Sequence, residues 1–439
     1  MSFRHGKREY TLTDGRGEYG FYIDAFLPQG ACIRIEGEMG QGKIAAKKAD
    51  VLSGEDEARV LGAVRGSIAA SVELPAGPGL LKDDVTSKLW PAMRDAALDI
   101  ISARKLGRSV MLRFHGDADG ISGAFALTGI LQCKAFQQNS AIYSVKDALR
   151  DIAAIGQESR PMVILLDFGS ADACAEALGL LSAAGIDYLV IDHHPYSAKS
   201  DRRIVNPFSV DENASHYTAG YLACEIATAC GHDADAARGL AAVACSGDKS
   251  ALIRNGPDEA RKAMVLDFLA SHVSFGNNLD FYKKVMGKAE LFDSIARQAD
   301  ESIEEAAGRA MARMKKSEAG ELDIVSFSLE GIAKRGEWPP SSKITTRVFD
   351  KLKGGRPLLC IGQTERSLIM RLDEKATAMG LSADALAKKI RESMADFVEG
   401  GGGHAKAGAI RARAGFAKDV LNELVREATA QAVGKGIQE

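Results

Sequence analysis

The sequence predicts an α/β protein: a parallel-sheet domain and a smaller C-terminal α/β domain, with a helical connector between them and a small β-rich domain in front. Three apolar runs, SVMLRF, PMVILLDF and IDYLVID, are each followed by a polar loop, and helical patterns alternate with them. Near-continuous apolar strands that alternate with helices are typical of a parallel sheet covered on both faces. A length of 439 residues exceeds what one hydrophobic core usually supports, which predicts several domains.

The β-rich domain is predicted at residues 1–80 because short strand patterns continue to about residue 75. GFYIDAF and CIRIEGEM are rich in β-forming residues, and Gly and Pro stand between them. VELPAGPGLLKDD (72–84) is a linker by its Pro and Gly content. We hypothesise that this domain is an oligonucleotide-binding barrel.

One stretch of this domain imitates a nucleotide-binding motif. GEMGQGK (37–43) has the spacing GxxxxGK of a phosphate-binding loop, but residue 44 is Ile where such a loop needs a hydroxyl group for Mg²⁺. The stretch also lies between two strand patterns. We therefore predict a hairpin turn here.

The parallel-sheet domain is predicted at residues 85–255. It begins with an amphipathic helix in SKLWPAMRDAALDIISARKLG, which the three strands follow. Its further helices are predicted in ISGAFALTGILQCKAF, GSADACAEALGLLSAAG, TAGYLACEIATACG and AARGLAAVACSGDKS.

The connector and the C-terminal domain are predicted at residues 256–319 and 320–439. The connector is charged and helical, as in RQADESIEEAAGRAMARMKK. In the C-terminal domain, ELDIVSFSL, PLLCIGQT and SLIMRL predict strands, and SADALAKKIRESMADFV and AKDVLNELVREATAQAV predict helices. EGGGGHAKAGAIRAR, between these helices, predicts a glycine-rich loop.

Composition narrows the class of protein. A net charge of −3 gives no overall attraction to nucleic acid, so a polyanion would have to meet local positive charge. The seven cysteines form no CxxC pair, which indicates reduced structural thiols. No apolar run reaches 18 residues and the start lacks the apolar core of a signal peptide, so we expect a cytoplasmic protein without a membrane span.

Acidic and imidazole side chains follow the predicted strands at the point where each ends. They are His115, Asp117 and Asp119 after the first strand, Asp167 after the second, Asp192, His193 and His194 after the third, and Asp248 at the end of a helix. Ligands of doubly wound sheets bind at these carboxyl ends. Carboxylates that converge there repel unless cations lie among them, and this donor set without thiolate favours Mn²⁺ or Mg²⁺. Two such ions are the common arrangement for cleaving phosphate esters.

Five ordered motifs now carry a family resemblance. HGDADG, LLDFGS, IDHHP and SGDKS resemble the four motifs of the DHH phosphoesterase superfamily, and GGGGHAKAGA resembles the signature of the DHH-associated C-terminal domain. The resemblance covers about residues 105–435 and is strongest to the archaeal RecJ-like branch of exonucleases and phosphodiesterases. The first motif departs from a frequent family form, which has Asp where this chain has His115.

The resemblance implies roles for the residues of the parallel-sheet domain. The residues implied as ligands of two Mn²⁺ ions, with Mg²⁺ as the alternative, are His115, Asp117, Asp119, Asp167, His193 and Asp248. Asp167 would bridge the ions, His115 and Asp117 would bind one of them, and Asp119, His193 and Asp248 would bind the other. Asp192 would orient the two histidines and His194 would face the substrate phosphate, so both, with Asp167, count as catalytic. Asn206 and His216 stand near this site in sequence, and their role stays open.

In the C-terminal domain, the resemblance implies a substrate-binding site. Its residues would be Arg371, Gly401, Gly402, Gly403 and His404. Glycines let the backbone approach an anion closely because no Cβ intervenes. Arg366 and Lys406 have equally good explanations as surface residues.

The function that the resemblance implies is Mn²⁺-dependent hydrolysis of phosphodiesters. We expect a RecJ-like exonuclease specific for single strands, which degrades DNA or RNA to mononucleotides. The alternatives are a phosphodiesterase for oligoribonucleotides, cyclic dinucleotides or phosphoadenosine phosphate, and a non-catalytic replication scaffold. The expected partners are single-stranded nucleic acid or a short oligonucleotide, together with replication or repair proteins. The sequence predicts no oligomeric state.

Overall fold

The computed structural model describes residues 3–4, 7–40, 42–195, 201–273, 279–334 and 336–434. The chain divides into two compact units, Met1–Lys288 and Ala289–Glu439. The boundary between the units, after Lys288, lies inside the predicted connector at 256–319.

The first unit holds ten strands and nine helices among the described residues. Its strands are β1 Phe3–Arg4, β2 Lys7–Thr13, β3 Glu18–Ile23, β4 Ile33–Gly40, β5 Lys43–Val51, β6 Val110–His115, β7 Lys134–Gln138, β8 Met162–Leu166, β9 Asp187–Ile191 and β10 Ile204–Val205. Its helices are α1 Gly54–Ser71, α2 Asp84–Lys105, α3 Ala118–Ile130, α4 Val145–Ile155, α5 Ala175–Ala183, α6 Ala219–Ala229, α7 Ala234–Gly247, α8 Pro257–His272 and α9 Leu279–Met286.

The N-terminal strands form a five-stranded sheet in the order β1-β2-β3-β5-β4, in which β3 and β5 are parallel. Its small core contains Phe21, Ile23, Leu27 and Ala46. The stretch that imitates a phosphate-binding loop forms the end of β4 and the start of β5, which pair antiparallel as the predicted hairpin.

Helix α1 corrects the prediction of strands up to about residue 75. Three acidic residues in its first turn, Glu55, Asp56 and Glu57, favour a helix start because they face the positive end of the helix dipole. The helix buries Val64 and Ile68.

The second sheet of this unit is fully parallel, in the order β10-β9-β8-β6-β7, and confirms the predicted fold class. Every residue of β8 is buried, as its unbroken apolar sequence predicts. The prediction of one helix up to Phe136 is wrong: α3 ends at Ile130, and β7 adds an edge strand to the sheet. Because all strands are parallel, their carboxyl ends lie along one edge.

The second unit holds a mixed six-stranded sheet in the order β11-β12-β13-β14-β16-β15. Its strands are β11 Lys315–Ala319, β12 Leu322–Ser328, β13 Leu358–Gln363, β14 Ser367–Leu372, β15 Val398–His404 and β16 Ala407–Ala412. Its helices are α10 Ala289–Met311, α11 Ser341–Leu352, α12 Glu374–Ala378, α13 Ala383–Ser393 and α14 Ala417–Gly434. One face packs against α13 and α14, and the other against α10 and α11.

The glycine-rich segment corrects the prediction of a loop. The glycines lie in β15, which pairs antiparallel with β16 and forms an edge of the sheet. Gly403 has φ +151°, and a Cβ there would come within 2.3 Å of the carbonyl oxygen of Ala407, so only glycine fits.

Two further expectations from composition can be compared with the structure. Among the described residues, no helix combines the length and the apolar character that crossing a lipid bilayer requires. All seven cysteines are free, and six of them are buried, which agrees with structural thiols.

Candidate metal centre

The first side of the centre lies where β6 ends and α3 begins. His115 is the last residue of β6, and Asp117 is the N-cap of α3, where its Oδ1 accepts from the N–H of Gly120 at 3.0 Å. The other carboxylate oxygen of Asp117 lies 2.6 Å from His115 Nδ1. The same Nδ1 lies 3.3 Å from Asp167 Oδ2. These three residues form one potential ligand group, with ligand atoms all within 4.8 Å of one another.

Asp167 stands directly after β8 and, like His193, belongs to two of the potential ligand groups. It is buried, and its backbone has φ +67°, a conformation that costs non-glycine residues about 1 kcal/mol or more. Its Oδ1 is buried without a hydrogen-bond partner, although His193 Nε2 lies 3.3 Å away. A buried carboxylate oxygen without a donor is costly unless a cation binds it.

The DHH triplet follows β9, and its aspartate accepts hydrogen bonds from the two histidines. Asp192 is 1% exposed, and its Oδ1 accepts from the N–H of His193 at 2.8 Å. The same oxygen lies 2.8 Å from His194 Nδ1, so Asp192 contacts the Nδ1 atom of this ring and not the Nε2 atom. The other oxygen, Oδ2, accepts from the backbone N–H and the hydroxyl of Ser170. The predicted orienting role of Asp192 therefore has a direct geometric basis.

His193 faces the second side of the centre. Its Nδ1 lies 2.7 Å from the carbonyl oxygen of Tyr217, a contact that requires a proton on Nδ1 and leaves Nε2 as a lone-pair donor. Nε2 lies 3.8 Å from Asp119 Oδ2 and 3.4 Å from Asp248 Oδ2. Asp119, His193 and Asp248 form a second ligand group, and Asp167, His193 and His194 a third.

Asp119 and Asp248 reach this side from helices. Asp119 lies in the first turn of α3, and its two oxygens accept from the N–H groups of Ala219 and Gly220 at the start of α6. A Cβ at Gly220 would lie 2.6–2.7 Å from atoms of Asp119, so the close approach of α6 requires glycine. Asp248 is the C-cap of α7.

The pKa values of these groups show how poorly the carboxylates tolerate one another. Burial, together with the charge of Asp167, raises the pKa of Asp119 to about 7, against the attraction of His193. Burial and the charge of Asp119 raise the pKa of Asp248 well above its usual value. Burial alone would lower the pKa of His193, but the surrounding carboxylates, first that of Asp167, raise it well above 6.5. The folded cluster without metal therefore retains protons that a bound cation would replace.

The other groups show the same balance. Although burial lowers it, the charge of Asp117 raises the pKa of His115 well above its usual value. Burial raises the pKa of Asp192, but the hydrogen bond and charge of His194 lower this pKa below its usual range. Burial likewise raises the pKa of Asp117, and the charge and hydrogen bond of His115 lower it below its usual range. His194 keeps a raised pKa because Asp192 outweighs the effect of burial.

Seven of the eight residues predicted for this site thus meet in one cluster whose donor atoms suit divalent cations. Oxygen and imidazole donors, an unpartnered buried oxygen on Asp167 and three overlapping ligand groups fit Mn²⁺ or Mg²⁺. The cluster members are His115, Asp117, Asp119, Asp167, His193, His194 and Asp248.

The predicted substrate-binding residues lie in the second unit. Arg371 is on β14, where its Nε donates to Thr346 Oγ1 at 3.1 Å and its Nη1 to the carbonyl oxygen of Met370. His404 ends β15 and is exposed. The N–H of Gly403 donates to Asp384 Oδ1 at 3.1 Å.

The residues to which the sequence analysis assigned no role differ in their surroundings. Asn206 is fully buried, and its Nδ2 donates to Ser170 Oγ and to the carbonyl oxygen of His194. His216 is exposed and belongs to none of the ligand groups. Arg366 and Lys406 pair with Glu399 and Glu374.

Sequence reasoning missed two contributors to the site, Ser170 and the carbonyl group of Tyr217. Ser170 stands inside the LLDFGS motif, so the sequence places it near the site. Its hydrogen bond to Asp192 depends on the fold and could not be predicted from the motif. A backbone carbonyl leaves no signal in the sequence.

Residues 109–247 match the family model described as DHH family, N-terminal domain. An uncharacterised protein of Methanocaldococcus jannaschii is 24% identical over 421 residues, which cover 79% of this chain and 55% of that protein. The chain thus spans about half the length of this curated relative.

Two solved structures share the fold. The DHH domain of a member of the s1p family of ribosomal proteins has a TM-score of 0.69 and 23% identity, over 86% of this chain and 99% of that one. RecJ in complex with Mn²⁺ from Thermus thermophilus has a TM-score of 0.50 and 16% identity, over 83% of this chain and 57% of that one.

Proposed function

We propose that this chain, which carries a DHH-family domain at residues 109–247, hydrolyses phosphoric esters with the help of divalent cations. The match confirms the predicted resemblance to the DHH superfamily. The observation that carries the proposal is the cluster in which two ligand groups share Asp167. Two cations held by such groups supply charge neutralisation at a phosphoryl group and lower the pKa of water.

The residues of the chain divide the remaining work. Asp167 fixes the spacing of the two ligand groups from a position that β8 and the hydrogen bonds around it hold. Asp192 holds His194 at Nδ1, and the side chain of His194 is partly exposed, 43% accessible. A raised pKa lets His194 carry a proton, and an imidazolium donor there would bind a phosphate oxygen.

The finer proposal is a Mn²⁺-dependent exonuclease that degrades single-stranded DNA or RNA to mononucleotides. Its support is the RecJ fold neighbour, which binds Mn²⁺, and a second unit in which Arg371 has no carboxylate partner among the described residues. The five-stranded N-terminal sheet adds a candidate for binding oligonucleotides, although its ladder is open between β1 and β4 in the described part of the chain.

A second candidate is a phosphodiesterase for short oligoribonucleotides, cyclic dinucleotides or phosphoadenosine phosphate. The observation that favours it is the net charge of −3 with only 6% aromatic residues, since a long nucleic-acid track needs basic and stacking groups. A non-catalytic replication scaffold is the weakest candidate, because all the implied metal-ligand positions hold ligand residues.

We propose further that the protein works in the cytoplasm and that replication or repair proteins are its partners. The free, mostly buried thiols suit a reducing compartment. The partner proposal rests on the RecJ-like resemblance alone.

The test is digestion in Mn²⁺ or Mg²⁺ of single strands labelled at the 5′ or 3′ end, DNA and RNA, long and short, beside cyclic dinucleotides. Asp167→Ala should abolish hydrolysis of every substrate. Asp235→Ala, an exposed aspartate at the far end of α7, should leave the rate unchanged. Hydrolysis that persists above a few per cent in Asp167→Ala would refute the metal-centre assignment.

A further inference from the structure

The segment that leads into α6, residues 216–220, holds two ligands of the second group through its backbone. The carbonyl oxygen of Tyr217 lies 2.7 Å from His193 Nδ1. Two successive N–H groups at the start of α6 donate to the two oxygens of Asp119 at 2.9 and 2.8 Å. We call residues 216–220 the support segment. Its position sets where these two ligands lie.

The support segment is also bonded to the turn that carries the third ligand of this group, Asp248. The carbonyl oxygen of His216 accepts from the hydroxyl of Ser250, which stands two residues after Asp248. The N–H of Ser250 donates to the carbonyl oxygen of Cys245 in α7 at 2.7 Å. One backbone segment thus connects the surroundings of all three ligands, so a shift of the segment should move them together.

Tyr217 is anchored on its other side by the residues that precede α2. It is 2% exposed, and its hydroxyl donates to Asp83 Oδ2 at 2.6 Å. Asp83 is the N-cap of α2, and its other oxygen accepts from the N–H of Thr86 at 2.7 Å. Burial raises the pKa of Asp83, but hydrogen bonds, first that from Tyr217, lower it below its usual value. The hydroxyl of Tyr217 therefore donates to an ionised carboxylate, and such bonds are stronger than neutral ones.

The predicted linker is fixed where it approaches this hydrogen bond. The N–H groups of Gly79 and Leu80 donate to Glu225 of α6. The carbonyl oxygen of Leu80 accepts from Arg238 of α7 at 2.9 Å. We call residues 79–83 the anchored linker. Its Pro and Gly content predicted a connection only, but its contacts join it to α6, to α7 and to the support segment.

From these contacts we propose that Asp83 and Tyr217 are positioning residues for the second ligand group, and that the anchored linker holds the support segment where it presents that group to a cation. Neither residue belongs to a ligand group, so both act through the backbone carbonyl that fixes the ring of His193. The proposal rests on the proposed function, because it requires that the cluster binds divalent cations. It deepens that function by connecting the metal centre to the part of the chain that precedes α2.

The test measures the affinity of the metal-free full chain for Mn²⁺ by titration calorimetry, without substrate. Tyr217→Phe removes only the hydroxyl. It should lower the affinity for one of the two ions about 10-fold, the lower end of the cost of losing a partner behind a metal ligand, and leave the affinity for the other nearly unchanged. Asp83→Ser should have the same effect, because serine still caps α2 but has no second oxygen for Tyr217. Asp83→Asn should restore most of the loss, since its amide caps the helix and bonds to the hydroxyl.

Tyr188→Phe is the matched control. Tyr188 is a buried tyrosine of β9 whose hydroxyl donates to Asp201 Oδ2 at 2.8 Å, and neither residue belongs to a ligand group. The same substitution there should leave both affinities for Mn²⁺ unchanged. A loss of affinity in this control as large as in Tyr217→Phe would overturn the proposal.

The double variant with Tyr217→Phe and Asp83→Ser tests whether one hydrogen bond carries the effect. Its loss of affinity should equal that of either single variant, because the two changes remove the same bond. Free-energy losses that add would overturn the proposal, and so would an unchanged affinity in both single variants.

Amide hydrogen exchange measures the same coupling in the reverse direction. Coupling between two sites is reciprocal, so Mn²⁺ should slow exchange of the buried N–H of Leu80 more in the wild type than in Tyr217→Phe. The difference should be about the ratio of their affinities for Mn²⁺. Equal slowing in both proteins would contradict a positioning role of the anchored linker.

Failure of this proposal and failure of the proposed function are distinguishable, because affinity and hydrolysis are measured separately. A chain whose affinity for Mn²⁺ depends on Tyr217 but which hydrolyses no phosphoric ester keeps the positioning pair and loses the hydrolase. A chain that hydrolyses esters and binds Mn²⁺ equally well in Tyr217→Phe keeps the hydrolase and loses the positioning pair.

Discussion

At the scale of single residues, Asp167 combines a strained backbone with an unpartnered buried oxygen. It has φ +67°, and its Oδ1 lacks a hydrogen bond. Strain and unsatisfied polarity at one residue are tolerated where function needs them. The cluster should therefore be less stable without metal than a version in which this charge is absent.

We expect Asp167→Asn to stabilise the metal-free protein and to remove its response to Mn²⁺. The amide keeps the shape and removes one negative charge from among Asp117, Asp119 and Asp248. The measurement is the melting temperature in EDTA and in Mn²⁺ for both proteins. A variant that melts below the wild type in EDTA would show that the charge of Asp167 does not destabilise the metal-free cluster.

Asn206 joins the segments that follow β8 and β9. It donates to Ser170 Oγ and to the carbonyl oxygen of His194, and Ser170 in turn donates to Asp192. The hydrogen bonds that run from Asn206 through Ser170 to Asp192, together with the bond to the carbonyl oxygen of His194, fix the ring of His194. Asn206 is a positioning residue, because it contacts the backbone of His194 and none of the potential ligand atoms.

Asn206→Ala should lower kcat about 10-fold or more without releasing the metal, since only the placement of His194 changes. It should also cost about 1–3 kcal/mol of stability, because buried partners lose a donor. Steady-state kinetics and Mn²⁺ titration calorimetry provide the two readouts. Asn213→Ala, an exposed asparagine before α6, is the control. A raised KM with normal kcat would contradict the positioning role.

At the scale of elements, the centre depends on how closely α6 approaches α3. The first N–H groups of α6 bind Asp119, and a Cβ at Gly220 would lie 2.7 Å from Ala244 as well as from Asp119. These contacts connect three helices at a single point. A small change there should move a metal ligand.

Gly220→Ala should reduce Mn²⁺ affinity and destabilise the protein by about 1–3 kcal/mol. The added Cβ would collide with the backbone of Asp119 and with Ala244 of α7, and neither can move away without shifting a packed helix. Gly239→Ala, inside α7, is the matched control: a Cβ there meets nothing within 4 Å, so the change should be neutral or stabilise by up to about 1 kcal/mol. Urea unfolding with and without Mn²⁺ distinguishes the two. Equal effects of both substitutions would mean that the packing of α6 on Asp119 does not matter.

Elements also show what could be predicted from the sequence and what could not. β6, β8 and β9 were predictable because a parallel sheet buried on both faces requires unbroken apolar runs, and their ends placed His115, Asp167 and Asp192. β7 was not, because Lys134–Gln138 is short and follows a helix without a clear stop signal. The strand β15 was hidden because its glycines carry no β-forming side chains.

At the scale of the whole molecule, the N-terminal sheet is part of the same compact unit as the parallel sheet. Arg160, just before β8, pairs with Glu57 of α1 at 2.7 Å and donates to Gly30. The buried carboxylate of Glu225 on α6 accepts from the N–H groups of Gly79 and Leu80 in the linker. A truncation that removes residues 1–80 would take both backbone donors from Glu225 and leave it only the hydroxyl group of Tyr221, so binding experiments on such a variant would measure a damaged α6.

The charges of the metal centre should make the metal-free unit less stable as pH rises, and bound metal should reverse this trend. Burial, with added repulsion from Asp167, raises the pKa of Asp119 from 3.8 to about 7, and contact with carboxylates raises the pKa of His115 and His193 above 6.5 despite burial. A group whose pKa is raised in the folded state holds more protons there than in the unfolded chain, so its stabilising effect is lost as pH rises. Asp119 acts between about pH 4 and 7, and the histidines act from about pH 6.5 upward.

The melting temperature in EDTA should therefore fall from pH 5 to pH 8, by a few degrees for each kcal/mol of linkage. The lowered pKa of Asp117 and Asp192 does not oppose this fall, because their stabilising effect is complete above about pH 4. In saturating Mn²⁺ the trend should reverse, since cations bind the deprotonated ligands. Asp119→Asn should flatten the fall in EDTA, while Asp235→Asn should not. A melting temperature in EDTA that rises over this range would mean that the cluster does not hold the protons that its carboxylates require when no metal is bound.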